Sequence, residues 1–177
     1  MIIVRSDDFD WRMDTQSYVD IHQLFVDAQV VETAVLQFAQ FGRLCNVREE
    51  LVRYILNTPY WDIQLHGWQH DHYDEMKYDF IVRDLAAAIH MCQKYFKVTP
   101  TVWYPPWNCL SNEMEMAATT VGLKIDNESY DIAKFIREAS SGHYSGHSLY
   151  FHGWKKDEMV QVPEMLRLVK ELQNAGR

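Results

Sequence analysis

The stretch Leu65-His66-Gly67-Trp68-Gln69-His70-Asp71-His72 gathers three of the chain's eight histidines. Imidazole nitrogens are the commonest protein ligands of a transition metal, and His66 and His70 stand four residues apart. If the chain turns helical after residue 65, both rings fall on one face and can share a cation. Two histidines alone leave a metal short of ligands. A carboxylate from elsewhere would complete a set of two histidines and one carboxylate with open positions, the arrangement of catalytic zinc. Asp7-Asp8 offers one, at the end of the apolar run Ile2-Ile3-Val4. Two adjacent acids there resist desolvation unless a cation or a proton relieves them. One can ligate while its neighbour serves water as a general base. The plainer alternatives are a solvated turn for the histidine pair and, with Asp10 and Asp14 close by, an acidic loop for Asp7-Asp8. His72 is offset by two from His70 and points elsewhere, and His143 and His147 sit in a Gly/Ser-rich loop.

The surrounding pattern favours the site. Apolar residues recur at helical spacing over 17–30, 48–57 and 77–96, and again from about 157 to 173. Ser111 can cap a helix that runs to Val121 and ends at Gly122. Between these lie short strand-like runs at 2–4, 34–39, 62–65, 101–104, 123–125 and 148–151. Six strands separated by helices predict parallel β/α units. Polar residues follow each strand: Asp7 and Asp8, His66, the stretch Pro105 to Asn108, Asp126 and His152. In β/α barrels that end is where active sites assemble.

Composition narrows the class. A chain of 177 residues, 47% hydrophobic and 24% charged, suits one domain, taken as residues 1–177. A net charge of −8 with no basic run argues against a nucleic-acid partner. No apolar stretch reaches membrane-spanning length and the first residues read as a strand, so no membrane partner and a cytoplasmic location are expected. Cys45, Cys92 and Cys109 are odd in number and widely spaced, as free thiols in a reducing compartment would be. Oligomeric state is left open.

Taken in order, Asp7-Asp8 after one strand, His66-x-x-x-His70 after another, Tyr104-Pro105-Pro106-Trp107-Asn108 after a fourth and Leu149-Tyr150-Phe151-His152 near the end resemble the signature blocks of the polysaccharide deacetylase (NodB-type carbohydrate esterase) family. The resemblance spans roughly residues 3–154. It implies a distorted, incomplete (β/α) barrel of mainly parallel strands. It also implies one divalent ion, most often zinc with cobalt, nickel or manganese as substitutes, held by Asp8, His66 and His70. Asp7 matches the catalytic base and His152 the general acid. Trp107 falls where a backbone N–H helps hold an oxyanion, with Pro106 and Tyr104 beside it in the same block. Trp68, Asn108 and Trp154 are candidate pocket residues. The implied activity is hydrolysis of an N-acetyl, or less commonly O-acetyl, group on an acetylated glycan or amino sugar.

Five positions and one later block depart from the family pattern. Arg5-Ser6 stands for Thr-Phe before the acids, and Phe9 for the glycine after them. Gly67 replaces the Ser/Thr after the first histidine. Tyr104 occupies the place of the arginine that orients the base, and the acid that steadies that arginine has only a partial counterpart in Asp126–Asp131. Asp7 thus lacks its charged partner unless Arg5 supplies one. Two further readings stay open, an amidase acting on a small non-glycan C–N bond and a metal- or carbohydrate-binding module without catalysis.

Overall fold

The strands are Ile3–Phe9 (β1), Glu32–Leu36 (β2), Ala39–Gln40 (β3), Arg43–Leu44 (β4), Trp61–Leu65 (β5), Val102–Trp103 (β6), Lys124–Ile125 (β7) and Ser148–His152 (β8). Strand β2 is buried at all five positions, as a parallel strand covered on both faces must be. It lies inside a six-stranded sheet of order β7-β6-β5-β2-β1-β8, and every pairing in that sheet is parallel. The sheet has the six parallel strands that the sequence pattern predicts, and it curls into the half-barrel that the family resemblance implies. This computed structural model describes residues 2–9, 13–128 and 130–176; Asp10 and Ser129 lie outside them.

Two apolar clusters hold the sheet to its helices, Thr15–Ala28 (α1), Glu49–Asn57 (α2), Tyr78–Phe96 (α3), Asn112–Thr120 (α4), Ile132–Ser140 (α5), Lys156–Met159 (α6) and Val162–Asn174 (α7). One sets Leu36, Ile63 and Trp103 with Leu51, Leu85 and Met114 of α2, α3 and α4. The other sets Val4, Leu149 and Phe151 with Phe25, Phe135 and Leu166 of α1, α5 and α7. Each such side chain removed from water contributes about 1.5–3 kcal/mol, and this outer packing leaves alternate strand residues to point the other way. Several of those residues are polar: Arg5 and Asp7 on β1, Thr33 on β2, Gln64 on β5, all buried.

The gap between the edge strands β7 and β8 is closed by the segment after β7. Asp131 makes a parallel bridge to Tyr150, and the Glu128 carboxylate accepts the backbone N–H groups of His147 and Ser148. Ser111 caps α4 as its type predicts, with Met114 N–H donating to its Oγ. Asp14 caps α1 by accepting Ser17 N–H at 2.9 Å, so it serves a helix and belongs to no acidic loop.

Three expectations change. The second strand runs over 32–36, not 34–39, because Phe38 and Ala39 donate to the Trp68 carbonyl and lead into the β3–β4 hairpin. The last helix is two, since Pro163 has no N–H to continue α6 and instead sits in the first turn of α7. Helix α5 was absent from the expectation, although Ile132, Phe135, Ile136 and Ala139 recur at helical spacing and Asp131 caps it.

Candidate metal centre and active site

Neighbouring residues of a regular strand point to opposite faces, yet Asp7 and Asp8 line one cavity. A bulge makes this happen. The register of β1 against β2 shifts between Ser6 and Phe9, and Asp8 takes a left-handed conformation with φ of 56°. Such bulges re-aim side chains at barrel rims. Asp7 meanwhile keeps its register opposite His152 on β8.

Asp8 Oδ1 lies 3.2 Å from His66 Nε2 and 3.2 Å from His70 Nε2. His66 Nδ1 is 2.7 Å from the Tyr104 carbonyl, which can only accept, so the ring proton sits on Nδ1 and the lone pair on Nε2. A lone pair aimed at a carboxylate oxygen is repulsive unless a cation lies between them. The three ligand atoms lie within 4.8 Å of one another, and Asp8 and His66 are buried. Two imidazoles, one carboxylate and a carbonyl fixing one tautomer fit a zinc-type ion of the catalytic class.

The two histidines do not meet on a helix, contrary to the expectation from their spacing. Residues 66–72 form an irregular turn. Gly67 adopts φ of 142°, and a Cβ there would lie 2.7 Å from the Tyr73 hydroxyl. That buried hydroxyl accepts the Trp68 N–H at 2.8 Å. Gly67 stands in the Ser/Thr position because Tyr73 fills the space a side chain would need.

Arg5 supplies the missing partner of Asp7. Its Nη2 is 3.4 Å from Asp7 Oδ2 and also donates to the Glu128 carbonyl at 3.2 Å. The guanidinium is fully buried, 4.5 Å from the Tyr104 ring centroid and 5.3 Å from that of Tyr150. Tyr104, expected beside the substrate, is buried beneath the cavity: its ring seats Arg5 and its carbonyl orients His66. Burial pushes its hydroxyl pKa up.

His152 Nε2 lies 3.8 Å from Asp8 Oδ2. Its Nδ1 meets the Glu158 carboxylate at 3.0 Å, and the same carboxylate accepts His152 N–H at 2.6 Å and contacts Lys155 Nζ at 3.0 Å. Burial works against the Glu158 charge, and these bonds more than offset it, so its carboxyl is held below the usual range. Glu158 was not among the candidates. The only signal for it is an acid six residues past a candidate histidine, which has no meaning until α6 folds back on β8.

The cavity, of about 420 Å³, is walled by Pro105, Trp107, Asn108, Tyr150, Trp154 and Lys155 around the acids and histidines. Trp107 and Asn108 are both left-handed, with φ of 62° and 50°, and Trp107 is half exposed with the His72 ring stacked at 5.1 Å and 3°. His72 thus supports Trp107. Two candidates fall away from the wall. Pro106 is buried and does not line the cavity, and Trp68 packs against the core while its carbonyl anchors Phe38 and Ala39. A second cluster of Asp126, Glu128 and His147 also has ligand spacing, but Glu128 is committed to the backbone clamp that closes the barrel.

The family model for polysaccharide deacetylase matches residues 14–125. The chain belongs to the polysaccharide deacetylase family. Asp7, Asp8 and His152 lie outside that match and are joined to it by the geometry above. Solved structures share the fold at low identity. A family 4 carbohydrate esterase from Streptomyces lividans, in complex with acetate, is 13% identical with a TM-score of 0.77, covering 96% of this chain and 88% of its own. A family 4 acetyl xylan esterase from Clostridium thermocellum, in complex with a cobalt ion, is 19% identical with a TM-score of 0.72, covering 99% and 84%. A family 4 pseudoenzyme from Bacillus anthracis is 12% identical with a TM-score of 0.77, covering 97% of this chain and 61% of its own.

Proposed function

We propose that this polysaccharide deacetylase family member is a metal-dependent hydrolase that removes N-acetyl groups from an amino-sugar glycan. The observation that carries the reading is the convergence of Asp7, Asp8, His66, His70 and His152 on one cavity at the strand ends, with Asp7 held by the Arg5 guanidinium and His152 by the Glu158 carboxylate. A pure binding module has no use for both.

A divalent ion held by Asp8, His66 and His70, zinc in the first instance, would polarise the acyl carbonyl and bring the pKa of a water towards ~7. Arg5 fixes Asp7 Oδ2 and leaves Oδ1 without a donor among the described residues. Oδ1 is therefore the atom that takes the proton from the attacking water. The backbone N–H of Trp107 donates to the oxyanion that forms. Glu158 holds the Nδ1 of His152, so Nε2 carries the proton to the departing sugar amine, which would otherwise leave poorly. Acetate and a free amine result. Trp107 and Trp154 offer ring faces to the sugar, and Asn108 a polar contact.

The test is acetate release from N-acetylated chito-oligosaccharides by metal-stripped protein, with and without Zn²⁺ or Co²⁺. Metal-dependent release, lost in Asp7→Asn while one ion per chain still binds, is the expected result. An ion bound without release from the wild type would reject catalysis on glycans; no ion bound would reject the centre itself.

A further inference from the structure

His22 on α1 is fully buried, yet each of its ring nitrogens faces an oxygen. Nε2 lies 2.9 Å from the Pro59 carbonyl and Nδ1 lies 2.8 Å from Glu32 Oε2. A carbonyl can only accept, so Nε2 carries a proton. Imidazole (~6.5) is more basic than a carboxylate (~4.3), which places the proton between Nδ1 and Glu32 on the ring. With a proton on both nitrogens His22 is a cation, unlike His66, whose one carbonyl partner fixes a neutral tautomer.

The surroundings favour the charged ring. Trp61 lies parallel to it, with centroids 3.7 Å apart at 8°, and offers the electron-rich face of the indole. Tyr54 of α2 stands across it at 5.9 Å and 88°. Burial, with the charges of Glu32 and Asp20, pushes the Tyr54 hydroxyl up, so it stays neutral. Asp62, next to Trp61, turns away to Thr33 and Gln64. Among the described residues Glu32 has no other ion pair than the one with His22. Taking the proton away would leave the 2% exposed Glu32 carboxylate against a lone pair, a buried charge with nothing to balance it.

Glu32 and Trp61 are the first residues of β2 and β5. The network therefore sits at the N-terminal end of the strands, the end of a β/α barrel that serves stability rather than chemistry. It ties α1 to both strands and to the turn between α2 and β5. In that turn Tyr60 is left-handed with φ of 67°, and its carbonyl accepts the Glu32 N–H at 2.8 Å.

We infer that the His22–Glu32 pair is a pH-sensitive latch: folding takes up the proton that makes His22 a cation, and alkaline pH frees α1 from the starts of β2 and β5. Above pH ~6.5 an unfolded chain has released its imidazole protons. The folded pair keeps its own, so unfolding gives up a proton and stability falls as pH rises. Below that pH both states hold the proton, and the latch contributes in full. The device is independent of the chemistry at the metal centre.

The protonation state is read directly by ¹⁵N spectra of the histidine rings at pH 6 and pH 8, with the His22 signals assigned by their loss in His22→Gln. Two protonated nitrogens at both pH values are expected, and a bare ring nitrogen on His22 at pH 8 overturns the inference. Urea unfolding of the wild type and of His22→Phe/Glu32→Gln, which keeps a ring on Trp61 and removes the charges, reads the linkage. Between pH 7 and pH 8 the unfolding constant of the wild type should rise close to tenfold more than that of the variant. An equal pH dependence of the two proteins overturns the latch; should the variant not fold, the ring spectra of the wild type decide alone.

Discussion

At the scale of single residues, the decisive contact is Arg5 against Asp7. A fully buried guanidinium beside a carboxylate that is itself buried must be balanced, because an unpaired charge in that setting is strongly unfavourable. Arg5→Met is therefore expected to destabilise the protein by about 3 kcal/mol in urea unfolding. Adding Asp7→Asn should recover part of that loss, since the asparagine leaves no stranded charge. Strict additivity of the two substitutions would show that the groups do not interact. Catalysis should also suffer: with Asp7 free to turn, kcat falls by roughly a hundredfold while metal stoichiometry is kept. His152 and Glu158 repeat the theme on β8. In both cases the partner is close in sequence, two residues before Asp7 on the same strand and six after His152 in the short helix α6.

At the scale of elements, the turn from Gly67 to Tyr73 positions the candidate metal ligands His66 and His70. Its geometry depends on the Tyr73 hydroxyl occupying the space over Gly67 and taking the Trp68 N–H. Gly67→Ala places a methyl group against that ring at a φ that L-residues rarely adopt. A stability loss of about 2 kcal/mol or more is expected, together with weaker metal binding because His70 is carried on the displaced segment. Unchanged metal affinity in this variant would mean that His70 is not a ligand. The β3–β4 hairpin hangs on the same turn through Gln69 and Trp68. Metal loop and hairpin therefore form one mechanical unit. None of this was readable from the H-x-x-x-H spacing, which suggested a helix.

For the whole molecule, the half-barrel brings four strand ends to one cavity, and an ion bound there ties β1 to the loop after β5. Binding to the folded state alone stabilises it by about 2.7 kcal/mol at a hundredfold excess over Kd, or roughly 5–10 °C in Tm for a chain of this size. Zn²⁺ or Co²⁺ should produce that shift in the wild type and not in Asp8→Asn or His70→Ala. A shift of equal size in all three would place the ion elsewhere, with the Asp126, Glu128 and His147 cluster as the alternative. Among the described residues no helix is long and apolar enough to cross a membrane.

The sequence by itself determined the chemistry on offer and the fold that presents it. Side chains able to ligate a metal or move a proton admit few substitutes, and parallel strands in a covered sheet need apolar runs, so the convergence of Asp7, Asp8, His66, His70 and His152 on one cavity was legible at the ends of such runs. Tertiary structure decided what holds those groups. That Arg5 reaches Asp7 required the rings of Tyr104 and Tyr150 to flank it from other strands. That Asp7 and Asp8 share a cavity required the register shift between β1 and β2. Glu158 gains its role only when α6 packs against β8, and Tyr104 and Trp68 lose their place at the cavity because the core claims them. Such contacts join residues far apart in the chain, and packing between elements, rather than the preference of any one residue, determines them.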